Sequence, residues 1–553
     1  MIQQTALMLI AGLVFLFSFT TGSELSPQPY TVNLALSIPL ILVFTFVPGL
    51  LSYFLGRRAI KRLTDDRSRQ IIQLQLSKRY AFLFGLVVIT GFVFEVFYLK
   101  LPVLVDNAFS FLSFENTRTL INMVPLVIAI LLTRLAIFEL DRQVRNTSWN
   151  RRRFFSLNLK LMLFPLLPFI AYSLIGDLIA HSPISVRIFF ISQPYLYWVI
   201  ILSIIAVMYL KAPSFVRRIW QTHSLPSGEI RDRIDALAKK ENIRYRDALV
   251  WNTAGGKIAN AGMAGLLPGS RYIFLTDALL NDFTVDEIET VVAHEFGHIK
   301  HKHMLAYLVF SLGYLAFYVF LYVRALPIIE RLGANPIYIA FFSAALTLMV
   351  FYAYFIFIFR FLSRKFEKQS DLYAVDSTGK PETFKSALLR LSAVNYMPRR
   401  APRLTELVRT HPSVFLRLEF IDAAMQGNPR ALKYRRPIFN IGLASILVLL
   451  ALSLLFVVNS KALFPPGEIH YEMGREYAID GMIDEAISEF SKSARTSPQS
   501  DGAHYALGIL YAEKGVMERA ISEFEKALKI NPKNVKAREK LEKLQAAAGV
   551  HDE

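Results

Sequence analysis

Nine stretches of the chain, near residues 4–21, 33–55, 80–99, 120–139, 154–178, 194–211, 304–323, 337–360 and 437–458, are apolar and long enough to cross a bilayer. A spanning helix takes about 20 mostly apolar residues, so these runs commit about a third of the chain to membrane helices. The balance of 54% apolar and 19% charged residues fits that reading and not an ordinary soluble protein. "MIQQ" carries no positive charge ahead of the first run, which predicts an uncleaved helix there and not a signal peptide.

The formal charge of +18 raises two readings, nucleic-acid binding or cytoplasmic loops rich in Lys and Arg. The basic residues cluster beside the apolar runs, which favours the second and excludes nucleic acid as the expected partner. Residues 56–79 and 141–153 are strongly basic, 21–32 has no Lys or Arg, and 179–193 has only Arg187. The basic loops are therefore expected inside. Counting on, 212–303 and 361–436 are expected on the cytoplasmic side and everything after 458 on the opposite side. Among intramembrane charges, Arg134 and Lys160 are expected to snorkel to the surface. Glu95 fits either a structural polar contact or the lining of a hydrated chamber.

Between the sixth and seventh runs the chain turns soluble. Ile230, Ile234 and Leu237 have helical spacing within 227–243, and 247–253 and 271–279 read as strands set off by glycine-rich turns. Thr284 followed by Glu287 makes a capping box, from which a helix is predicted to run through "VVAHEFGHIKHKH" into the seventh span.

On that helix His294 and His298, four residues apart, share one face and can aim two imidazoles at one ion. With no cysteine in the chain, any metal must be held by His, Asp or Glu. Zinc suits the pair: it takes imidazole nitrogens at about 2.0–2.1 Å and, in catalytic sites, three protein ligands plus a water. Glu295 is turned partly away, placed to take a proton from that water as general base. A third ligand six residues past the second His is absent, since Met304 stands there. "SRKFEKQSDLYAVD" (363–376) offers Glu367 to complete the shell and Asp371 to accept the spare N–H of a ligand His. With the shell full, His301 and His303 are expected to be solvated.

The motifs "ANAGMAG", "YIFLTDALL", "DEIETVVAHEFGHIKHKH", "SRKFEKQSDLYA" and "THPSVFLRL", in this order across about 227–420, resemble the M48 family of membrane metallopeptidases. That family includes the HtpX heat-shock proteases and the Ste24-type CaaX prenyl proteases. The resemblance implies a gluzincin-type fold with one zinc per chain on His294, His298 and Glu367. It further implies His411 and Arg417 near the metal, assigned to stabilising the oxyanion, and a substrate-binding edge strand at Asn260 and Ala261. Six apolar runs ahead of the motif exceed those of HtpX-type members, so the substrate class stays open.

The tail carries a repeat of 34 residues. "HYEMGREYAIDGMIDEAISEFSKSARTSPQ" from His470 aligns with "HYALGILYAEKGVMERAISEFEKALKINPK" from His504. Period and pattern are those of tetratricopeptide repeats, with 535–547 as a capping helix. The whole reads as mainly α: a polytopic transmembrane helical bundle, a zinc metalloprotease domain and a C-terminal α-solenoid. The expected domains are 1–212 (six spans), 213–436 (peptidase, with a membrane hairpin at 304–360), 437–458 (a span) and 459–553 (repeats). The function expected is a zinc-dependent endopeptidase of a bacterial cytoplasmic membrane, acting on protein or peptide substrates, with a protein partner on the repeats. The competing reading is a non-catalytic scaffold or assembly chaperone that keeps zinc only for structure.

Overall fold

The computed structural model describes residues 33–62, 83–310, 359–436 and 465–549, except 146, 194, 254–255, 257, 396, 398–399, 401–405 and 407–410, together with 314, 345–346, 349–350 and 353–354. The expected spans at 4–21 and 437–458, and most of the hairpin 304–360, lie outside the described residues. The chain forms two compact units, Met1–Ile170 with Ile205–Leu454, and Ala171–Ile204 with Leu455–Glu553.

In the first unit the expected second and fourth spans are helical over Leu34–Lys61 and Glu115–Val144, each long and apolar enough to cross a membrane. Leu42, Phe46, Leu50 and Phe54 of the former face outward, as lipid-facing side chains do. Two bends occur, one just past the third run and one within the fifth. Leu83–Phe97 and Leu101–Ala108 meet at 63°, and Arg151–Leu163 and Leu167–Ala180 at 58°. Prolines account for both breaks. Pro102 opens the helix after Lys100, which sits at φ 57, and Pro165 lies in a single 3-10 turn between the two halves of the other pair. The sixth run is the helix Tyr195–Ile219. Arg134 does not snorkel: it is 4% exposed, inside the helix cluster built on Val88, Phe92, Leu126 and Ile130. Glu95 is buried as well, while Lys160 is exposed.

The soluble part of this unit is a small sheet clasped by helices. Strands β1 (Thr222–Ser224), β2 (Asp247–Trp251), β3 (Ala261–Ala264) and β4 (Tyr272–Thr276) run in the order β1-β2-β4-β3. β2 and β4 are parallel, and the outer pairs are antiparallel. β3 is thus an edge strand. Helix α1 (Glu229–Lys240) buries Ile234 and Leu237 against the sheet. Helix α2 (Val285–Lys300) starts at the Thr284 capping box, with Glu287 returning its carboxylate to the Thr284 N–H at 3.0 Å. α2 lies across the sheet beside α3 (Arg360–Thr378), with α4 (Pro381–Val394) and α5 (Val414–Met425) behind. Phe296, Val292, Ile273, Leu275 and Phe384 fill the centre.

α2 and α3 approach closely because Gly297 has no side chain. A Cβ there would lie 2.9 Å from the Ser370 Cα. α2 also stops where a continuous helix into the seventh span was expected. His301 caps it and Lys302 takes φ 56 before a new turn begins at His303. The left-handed residue re-aims the chain, and this break shapes the site below.

In the second unit, α6 (Pro466–Ile479), α7 (Ile483–Thr496), α8 (Asp501–Glu513), α9 (Met517–Ile530) and α10 (Val535–Gly549) stack as helix pairs. The period of 34 has physical content. Gly474 and Gly508 let the Phe490 and Phe524 rings press against the facing helix, where a Cβ would come within 3.0 and 2.7 Å. Gly481 and Gly515 make the turns at φ 75. The short helix Ile184–Ser192 packs on α6, and Arg187 binds Glu476 at 2.8 Å and Asp480 beside it.

Candidate metal centre

α2 and α3 together carry His294, His298 and Glu367, whose donor atoms all lie within 4.8 Å of one another. The His294 and His298 Nε2 atoms are 3.3 Å apart. Glu367 Oε2 is 3.6 Å from His294 Nε2, and Oε1 is 3.5 Å from His298 Nε2. Donors held at about 2.0–2.1 Å around a tetrahedral zinc would be roughly 3.3–3.4 Å apart. The Nε2–Nε2 separation matches, and each imidazole faces one Glu367 oxygen at a slightly longer distance. Glu367 is 1% exposed and its Oε2 makes no well-aligned hydrogen bond, although His411 Nδ1 lies 2.9 Å away. A buried carboxylate oxygen and two facing imidazole nitrogens lack only a shared cation, so the residues fit zinc.

The surroundings fix each ligand. His294 Nδ1 lies 3.0 Å from Asp371 Oδ1. With the proton on Nδ1, donated to the carboxylate, Nε2 keeps its lone pair for a metal. Asp371 is itself held by Arg417, whose Nε donates to Oδ2 at 3.0 Å and whose Nη2 donates to Oδ1. Arg417 Nη2 is also 3.4 Å from His294 Nδ1. Its guanidinium is therefore a strut for Asp371 in this structure. His411 is two-thirds exposed at the mouth of the site. The structure thus gathers His294, His298, Glu367, Asp371, His411 and Arg417 in one place. Asn260 stands exposed just ahead of β3, where its backbone pairs with Thr276, and Ala261 starts that edge strand, which packs against α2.

His303 corrects the sequence reading. It is fully buried, not solvated. Its Nδ1 lies 3.0 Å from His298 Nδ1, its Nε2 lies 3.0 Å from Gln369 Oε1, and Gln369 in turn donates to the Arg436 carbonyl. Only one protonation pattern satisfies this chain while leaving His298 Nε2 bare: His298 Nδ1–H donates to His303, and His303 Nε2–H donates to Gln369. His301, by contrast, is partly exposed, with its ring against those of His303 and Tyr373. The signal in sequence was the spacing of His303 five residues past His298, legible only once the Lys302 turn is known.

Electrostatics agree with a cation site. Burial, then the neighbouring His294, hold the His298 ring well below its usual pKa, and burial takes His303 down to about 3, so both are neutral. For Glu367, burial pushes upward, but His411, His294 and Arg417 outweigh it and keep the carboxylate ionised. For Glu295, burial prevails with help from Glu367, and the carboxyl is raised despite His294, His411 and Arg417. A carboxylate raised toward the working pH suits proton transfer.

Comparison with known proteins gives the same neighbourhood. Residues 224–425 match peptidase family M48, and 502–534 match a tetratricopeptide repeat. A protease HtpX homolog of Aeropyrum pernix is 26% identical over 274 residues, 40% of this chain and 83% of the relative. A CAAX prenyl protease 1 homolog of Arabidopsis thaliana is 26% identical over 261 residues, 44% of this chain and 61% of the relative. One from Dictyostelium discoideum is 32% identical over 130 residues, 22% and 30%. The crystal structure of S. mikatae Ste24p aligns over 71% of this chain and 99% of its own at 20% identity, with a TM-score of 0.49. Over residues 224–425 the chain is similar to peptidase family M48, with protease HtpX homologs and CAAX prenyl protease 1 homologs among its relatives, and over 502–534 it is similar to a tetratricopeptide repeat.

Proposed function

We propose that this protein is a zinc-dependent membrane endopeptidase acting on membrane-associated or misfolded protein substrates. The observation that carries the proposal is the convergence of His294, His298 and Glu367: the two Nε2 atoms lie 3.3 Å apart, and each faces one Glu367 oxygen, at 3.6 and 3.5 Å. Zinc held there would supply Lewis acidity and lower the pKa of a bound water. Glu295 takes the proton of the attacking water and returns it to the leaving amine. His411, at the open mouth, donates to the oxygen that gains charge as the carbonyl is attacked, and Arg417 supports it with fixed positive charge while holding Asp371. The substrate backbone adds to the free edge of β3 from Asn260 and Ala261, so recognition rests on main-chain hydrogen bonds more than on side chains.

The peptidase segment faces the cytoplasm in this proposal, and the repeats lie on the other side. The pairing of Arg187 with Glu476 and Asp480 supports it, since the charge count assigns both the 179–193 loop and the tail to the outer face. There the repeats would bind a protein partner.

Glu295→Gln is expected to abolish cleavage of an unfolded protein substrate while the purified chain keeps one zinc. Undiminished cleavage would reject the mechanism. If the same variant restored every phenotype of a deletion strain, the chain would be a scaffold instead.

A further inference from the structure

Three of the four tryptophans in the chain, Trp149, Trp220 and Trp251, line one cleft of about 330 Å³. It lies between the loop after the expected fourth span and the far end of strand β2. Trp220 and Trp251 stack face to face, with centroids 4.3 Å apart and planes 10° off parallel. Arg153 lies over the Trp149 ring at 5.2 Å and ties the loop to the end of β2 through the Asn252 carbonyl at 3.1 Å. Arg152 and Lys160 complete the basic wall, and among the described residues no carboxylate lines the cleft. Neither of these two is ion-paired within the described residues, and both are exposed. The Trp149 indole N–H is buried without a partner, a state that costs free energy unless something outside the chain accepts from it.

Three cations with no carboxylate paired to them among the described residues, together with one unsatisfied donor, call for an anion with several acceptor oxygens. The place says which anion. Lys160 and Leu157 belong to Arg151–Leu163, half of a bent helix pair that together is long and apolar enough to cross a membrane, and Ile219 ends the apolar helix Tyr195–Ile219. The cleft therefore sits where apolar helices emerge on the side that the basic loops assign to the cytoplasm. Tryptophan belts and basic pockets between helix ends are placed at this level to meet lipid head groups. The volume, at the low end for small-ligand sites, suits a head group whose acyl chains run on along Leu157 and Ile219.

We propose that this cleft binds the phosphate head group of an anionic phospholipid of the cytoplasmic leaflet. The bound lipid links the 147–150 loop and the start of the following helix to strand β2 of the peptidase sheet. The proposal is independent of the zinc chemistry, and a chain lacking zinc should bind the lipid equally.

Native mass spectrometry of the full-length protein, offered phosphatidylglycerol and phosphatidylcholine in equal amounts, tests it. Phosphatidylglycerol should be retained preferentially. The double variant Arg152→Ala/Lys160→Ala should weaken that retention roughly thirtyfold, with its thermal midpoint in phosphatidylcholine unchanged. Trp149→Phe, which keeps an aromatic ring and removes the N–H, should weaken it less but measurably. Equal retention of both lipids, or wild-type retention of phosphatidylglycerol by both variants, would overturn the proposal. Displacement of the lipid by excess inorganic phosphate would also overturn it, by making the site one for soluble phosphate.

Discussion

Which nitrogen of His298 is free to meet a cation is decided five positions further on, by His303. The relay from His298 through His303 to Gln369 fixes the tautomer, as Asp371 does for His294. Outer partners of this kind typically contribute 10–100-fold to metal affinity. His303→Ala is therefore expected to weaken zinc binding about tenfold or more, measured by competition with a chelator, while Glu295 and the three ligands stay in place. An affinity equal to wild type would reduce His303 to packing. The clustering of His294, His298 and Glu367 was legible in sequence because helical spacing and acidic partners leave a pattern of fixed offsets. His303 was not, because its burial depends on one residue, Lys302, taking a left-handed conformation. Arg134 escaped for a related reason: a cation near the end of an apolar run looks alike whether it reaches water or packs inward.

At the level of elements, α2 depends on its first turn. Glu287 closes the capping box and also meets Ser386 at 2.8 Å and Arg390 at 2.9 Å. Burial alone would raise its carboxyl, but the Thr284 N–H, Ser386 and Arg390 outweigh it and hold it below the ordinary 4.5. A depressed folded value means that this stability is complete above 4.5 and is lost as pH falls through the folded value. Glu287→Gln should cost about 1 kcal/mol at neutral pH, and the gap to wild type should close in acid, as read from melting temperatures across the pH range. A gap that persists in acid would contradict the role of the charge. The cap, the amphipathic helix and the strands were readable because each is a local pattern. The bends near Lys100 and Pro165 were missed because apolar runs report length and not direction. The close packing of Gly297 on Ser370 was hidden because it joins segments 73 residues apart.

For the molecule as a whole, the positive-inside count and the Arg187 contacts combine into one topology. The chain contains no cysteine, so single introduced thiols report sidedness cleanly. Lys239→Cys is expected to react with an impermeant reagent only from the cytoplasmic side, and Lys533→Cys only from the opposite side. Both positions are exposed. Labelling of the two from the same side would place the repeats with the peptidase and undo the topology. The repeats were the most legible large feature, since a period of 34 survives any ambiguity of single residues, and the meeting of α2 with α3 was expected from the paired histidines and Glu367. That meeting carries the functional account, and metal analysis of full-length Glu367→Ala beside wild type tests it most directly. Wild type is expected to hold one zinc per chain and to cleave; the variant should hold almost none and be inactive. A Glu367→Ala protein that keeps its full zinc and its cleavage rate would contradict the account at its centre.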